Sequence, residues 1–137
     1  MADQDSTNAT FINPPTIHPP RGYTHVVEVT AGRPVYIAGQ VALDPSGELV
    51  GPGDIRAQAV QVFENLRAAL DAVGATFSDV VKLNYYMLDT ANLPIIREVR
   101  DTYLDGRRPA STAVGVTGLF REDALIEIEA VALLPER

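Results

Sequence analysis

The chain has 137 residues, 46% of them hydrophobic, with a formal net charge of −7, two histidines, and neither cysteine nor tryptophan. That length suits one compact domain and is short for two. The acidic balance argues against the basic footprint that nucleic-acid binding requires, and the absence of thiols excludes disulfides, thiolate nucleophiles and cysteine-ligated metals. No apolar run approaches the ~20 residues of a membrane-spanning helix and the N-terminus carries no leader pattern, so a cytoplasmic location is the expectation.

Residues 1–21 are polar and then proline-rich, with Pro14, Pro15, Pro19 and Pro20. Proline interrupts both ladders and helices. This stretch therefore reads as a flexible start and an extended arm ahead of a single domain over residues 22–137. Residues 24–30 read as a strand, Ala31-Gly32-Arg33 as a tight connection, and residues 34–43 as a second strand interrupted at Gly39. Asp44-Pro45-Ser46-Gly47 is a turn signal, with proline preset for the second position and glycine for the last. Residues 48–50 read as a short return strand.

Gly51-Pro52-Gly53 stops the chain before the clearest helix, residues 54–73. There Ile55, Ala59, Val62, Phe63, Leu66, Leu70 and Val73 recur at helical spacing. Asp54 is a natural N-cap and Gly74 a natural residue past the end. Residues 79–88 form a third long strand with Val81, Leu83, Tyr85 and Met87 on one face. Residues 93–104 form a second helix, with Pro94 in its first turn, Gly106 just beyond it, and Ile96, Val99 and Tyr103 facing inward. Two strands close the chain.

The last of these, residues 124–134, is the most strand-like stretch. A period of two puts Ile126, Ile128, Ala130 and Ala132 on one face and Leu125, Glu127, Glu129, Val131 and Leu133 on the other. The order β-β-α-β-α-β-β with only two helices predicts an α+β domain whose mixed sheet carries both helices on one face. The other face keeps Val114, Val116, Val131 and Leu133. An apolar sheet face of that kind is rarely left to water, which predicts a homo-oligomer with Glu127 and Glu129 near its contact.

Chemistry-bearing residues are few. Glu127 and Glu129 stand ~7 Å apart along one strand. That is poor geometry for acid and base on opposite sides of a sugar, so a structural ion pair is the expected role of Glu129. His18 and His25 with a carboxylate could in principle ligate a metal. One lies in the proline-rich arm and the other in a strand, where hydrogen-bonded structure is the usual role. Ser111 lies outside any nucleophile-elbow pattern. Arg97 can pair with Asp101 at i+4 as a solvated helix pair, or reach into a cleft.

Seven segments taken in order carry a resemblance. They are Gly22-Tyr23-Thr24-His25; Tyr36-Ile37-Ala38-Gly39-Gln40; Asp44 through Val50; Ala57-Gln58 with Asn65-Leu66; Val80-Val81-Lys82; Pro109-Ala110-Ser111-Thr112; and Ile126-Glu127-Ile128-Glu129-Ala130. Together they are similar to RidA-type proteins, also called the YjgF or UK114 family. The resemblance implies a chorismate-mutase-like fold and a homotrimer, with a central barrel of sheets, helices outside, and three small-molecule clefts between subunits. It implies hydrolysis of reactive enamines and imines, releasing ammonia and a 2-keto acid, with no cofactor or metal involved; that neither nucleic acid nor membrane is a partner is the expectation from the acidic charge and the lack of a long apolar run.

The resemblance also implies that Glu127 is the catalytic carboxylate that positions water and Tyr23 the aromatic at the cleft entrance. Ala38, ahead of Gly39, stands where a serine is usual, and Arg97 where an asparagine is. Ser111, ahead of Thr112, stands where an arginine grips the substrate carboxylate. Losing such a contact removes about 1.5–3 kcal/mol. Alternatives are therefore a non-catalytic metabolite-binding trimer, or a hydrolase whose substrate has no carboxylate. A rescue would come from Arg97, or from Arg21, Arg107 or Arg108.

Overall fold

The structure, a computed structural model, describes residues 8–137. Its organising element is the last strand, β6 (Ile126–Leu134). β6 pairs antiparallel with β3 (Arg33–Gln40) on one side and with β4 (Val80–Met87) on the other; β5 (Ala110–Gly115) lies parallel to β4 at the edge. Strand order is β3-β6-β4-β5. The alternation expected of β6 holds as far as Ala132. Ile126, Ile128, Ala130 and Ala132 are buried, while Glu127, Glu129 and Val131 on the opposite face are partly open.

The buried face is covered by α1 (Ile55–Asp71) and α2 (Leu93–Leu104), which supply Val62, Phe63, Leu66, Ile96 and Val99 to one continuous core. Asp54 caps α1 by accepting from the Ala57 amide at 3.1 Å. Helix α1 ends at Asp71, so Val73, read from the sequence as part of its apolar stripe, is 45% exposed. Both helices thus lie on one face of a mixed sheet, the α+β arrangement expected. No helix of the described residues is long and apolar enough to cross a membrane.

Four local readings are corrected. Ala9–Ile12 forms a strand, β1, paired antiparallel with β2 (Val26–Val29) as a separate two-stranded sheet. The prolines that argued against a ladder all follow Ile12, so the run before them is free to pair. Residues 48–50 make only a single bridge, Leu43 with Leu49, rather than a strand. On β4 it is Val80, not Val81, that joins Leu83, Tyr85 and Met87 in the core, because the pairing with β6 shifts register between Val80 and Lys82. Leu133, expected on the open face, is buried. It shares a small cavity with Ala9, Phe11 and Val81, so the β1–β2 ribbon closes over that end of the sheet.

Candidate functional site

Parallel pairing of β5 with β4 sets Ser111 beside Leu83, Thr112 beside Asn84 and Ala113 beside Tyr85. Leu83 and Tyr85 point into the core, so Ser111 and Ala113 share the helix side of the sheet, and Thr112 points to the open side. Helix α2 faces Ser111 and Ala113 with Leu93, Ile96, Arg97 and Arg100, one stripe at helical spacing. Between them lies a cavity of about 220 Å³, completed by Arg21, Tyr23 and Tyr85.

Arg100 is the buried cation of this cavity, 8% exposed. Its Nε and Nη2 donate to Asp101 Oδ1 at 3.0 and 2.8 Å. This replaces the Arg97–Asp101 pair expected from the sequence. Arg97 itself is exposed and makes no ion pair among the described residues. Gly22 roofs the guanidinium: its φ is +78°, and a Cβ there would meet Arg100 Nη2 at 2.9 Å. Both facts favour glycine at this position. Tyr85 is buried beside Arg100, and its hydroxyl has no hydrogen-bond partner. Burial pushes its phenol well above the usual range, and the neighbouring Arg100 acts in the other direction.

Tyr23 is held from behind. Its hydroxyl lies 3.0 Å from His18 Nε2, and its ring meets His25 edge-on at 5.2 Å between centroids. His25 Nε2 in turn bonds the His18 carbonyl at 2.7 Å. The Thr24 hydroxyl donates to the Arg108 carbonyl at 2.5 Å, tying this segment to the start of β5. The two histidines thus brace an aromatic wall.

The opposite face of the sheet carries a second group. Pairing of β3 with β6 shifts register between Ile37 and Gln40, and Gly39 sits in that irregular stretch. The Glu127 carboxyl lies directly against it, since a Cβ on Gly39 would fall 2.0 Å from Glu127 Oε2. Ala38 is exposed on the strand beside it, and a shallower depression of about 390 Å³ runs from Gly39 toward Asn65 and the exposed Phe120. Glu127 makes no hydrogen bond or ion pair among the described residues.

Glu129 differs: the Tyr86 hydroxyl donates to its Oε1, as does Asn84 Nδ2 at 3.1 Å. Its partners are neutral donors, not the cation expected of an ion pair. The hydrogen bond to Glu129 raises the Tyr86 phenol above its ordinary range and keeps it a donor. Thr112 accepts from Lys82 Nζ at 3.1 Å.

Within one copy the structure therefore unites Tyr23, Arg97 and Ser111 in the α2–β5 cavity. It places Ala38, Gly39, Glu127 and Thr112 on the opposite side of the sheet. Sequence reasoning missed Arg100 and the cavity role of Tyr85. The signal for Arg100 was its position four residues after Ile96 on the inward stripe of α2, where a cation cannot sit without a reason.

A family model described as Endoribonuclease L-PSP matches residues 15–134. The chain is 38% identical over 111 residues to the mouse (Mus musculus) 2-iminobutanoate/2-iminopropanoate deaminase, covering 81% of this chain and 80% of that one. It is 36% identical over 114 residues to the 3-aminoacrylate deaminase RutC of Acinetobacter baylyi, covering 83% and 90%. Among solved structures, the conserved Rid-family protein YyfB of Yersinia pestis superposes with a TM-score of 0.86 at 44% identity, covering 93% of this chain and all of that one.

Proposed function

Because the chain belongs to the Endoribonuclease L-PSP family, the RidA-type proteins, we propose that it is a hydrolase of small reactive enamines and imines, working in clefts shared between copies of a homotrimer. One observation carries this reading. The only carboxylate of the open sheet face without a hydrogen bond or ion pair among the described residues, Glu127, sits across the sheet from the cavity that holds Tyr23 and Ser111. A single copy cannot use both. Apposition of one copy's open face to a neighbour's α2–β5 rim would bring them to the same ligand. The exposed Tyr36 and Val114 and the half-buried Val131 on that face suit such a contact. The deaminase names of the relatives agree with the chemistry.

For an imine, Glu127 orients a water molecule and accepts its proton as the oxygen bonds to the imine carbon. The C=N π electrons move to nitrogen, which takes up a proton. The resulting carbinolamine then loses its hydroxyl proton, the C–N bond breaks, and ammonia leaves with that electron pair and a proton returned by Glu127. Water and imine become ammonia and a carbonyl compound, with no change in oxidation state. A nuclease reading has less support, because the chain is acidic, with a formal net charge of −7.

The test is a coupled assay in which an amino-acid oxidase makes imines and semicarbazide traps what survives. The wild-type protein lowers the trapped fraction, and Glu127→Gln loses about 100-fold or more of that activity. A trapped fraction equal to that of a protein-free control would overturn the assignment. It would then favour the second reading, a metabolite-binding trimer, for which Ala38 and Ser111 in place of the family's serine and arginine speak.

A further inference from the structure

We propose that the α2–β5 cavity is a two-level anion clamp. Arg100 and Tyr85 at its floor hold one carboxylate, Arg97 and Arg21 at its mouth hold a second, and the ligand is a small dicarboxylic imino or keto acid. The inference rests on the hydrolase reading for its reaction but not for its binding chemistry.

Depth separates the cavity's polar groups. Arg100 and Tyr85 are 8% and 3% exposed, whereas Arg97 and Arg21 are exposed. At the floor, Asp101 accepts from Nε and Nη2 of Arg100, which leaves Nη1, beneath Gly22, without a hydrogen bond among the described residues. The Tyr85 hydroxyl beside it is a buried donor with no acceptor, and the Ser111 hydroxyl is spent on the Pro109 carbonyl at 3.2 Å. A guanidinium edge beside a buried phenol that has no acceptor suits a carboxylate's two oxygens. The cation that position 111 lacks on the strand is thus supplied from the facing helix.

At the mouth, Arg97 and Arg21 have no ion pair among the described residues. Arg100 also lines an adjoining cavity with Arg107 and Arg108. Five of the chain's 11 basic residues therefore gather here, on a protein of net charge −7. A monocarboxylate engages only the floor. A second carboxylate a few bonds away reaches the mouth, so acids with an acidic side chain are preferred over neutral ones.

Calorimetric titration of the full chain with 2-oxoglutarate and with pyruvate tests the clamp apart from any turnover. The dicarboxylate is expected to bind about tenfold tighter or better. Arg97→Gln, an exposed change that leaves Arg21 at the mouth, should cut that preference severalfold. Arg100→Lys, which keeps a charge but not the planar fork, should weaken both ligands about tenfold. Equal affinities in the wild type, or a preference unchanged in Arg97→Gln, would overturn the proposal. The oxidase assay, run with imines from glutamate and from alanine, separates the two readings. Arginine-dependent dicarboxylate binding without ammonia release upholds the clamp and sinks the hydrolase. Hydrolysis of both imines at equal efficiency, unaffected by Arg97→Gln, sinks the clamp alone.

Discussion

At Gly39 a single hydrogen makes room for the catalytic candidate. The Glu127 carboxyl occupies the volume a β-carbon would fill, at 2.0 Å from where that carbon would stand. Gly39→Ala must therefore push the carboxylate aside or bend β3. Displacement by about 1 Å costs on the order of 100-fold in rate, while crowding of this kind costs about 1–3 kcal/mol of stability. Steady-state kinetics on oxidase-generated imines and urea unfolding should show the first effect exceeding the second. Unchanged kinetics with a destabilised fold would make Gly39 a packing glycine only. The pairing of Gly39 with Glu127 was not readable from the chain, since 88 positions separate them and only the β3–β6 register brings them together.

At the level of elements, α1 shows why some devices are legible and others are not. Its N-cap, Asp54, is a local signal, and Asp54→Ala should cost about 1 kcal/mol. Gln58, four residues on, reads as an ordinary polar helix residue, yet it is fully buried. Its amide donates to the Gly51 and Asp123 carbonyls at 3.1 and 3.3 Å, and its oxygen accepts from the Leu125 amide at 2.9 Å. It ties the start of α1 to the loop that feeds β6. Gln58→Leu leaves a buried amide and two carbonyls without partners, a loss of about 1–3 kcal/mol for each group left unsatisfied. Chemical denaturation should rank Gln58→Leu as clearly worse than Asp54→Ala; the reverse order would mean that water replaces the lost bonds. Helix α2 behaves alike. Its apolar stripe was evident, whereas Arg100 within that stripe acquires meaning only once Gly22, Tyr85 and Ser111 surround it.

For the whole molecule, the open sheet face is the feature on which the shared-cleft reading turns. Val131 stands at its centre, paired with Tyr36 on β3 and Lys82 on β4. Val131→Asp places a charge where a neighbouring copy would have to bury it, at a cost of several kcal/mol. Light scattering should find the wild type at three times the chain mass and the variant at one. Circular dichroism should remain unchanged and imine hydrolysis should be lost. A variant that stays assembled and active would remove that face from the contact.

Periodicity and punctuation along the chain were enough to determine both helices, the four strands of the main sheet and the two faces of β6. These depend on interactions between residues a few positions apart. The α+β arrangement followed, because two helices can cover only one side of such a sheet. What tertiary structure alone decided was the pairing of β1 with β2, the Val80 register shift, the seat of Glu127 against Gly39, and the burial of Arg100 opposite Ser111. Each of these is set by which distant segments are brought face to face. A charge gains its environment from those neighbours in space, and spacing along one strand or helix does not encode them.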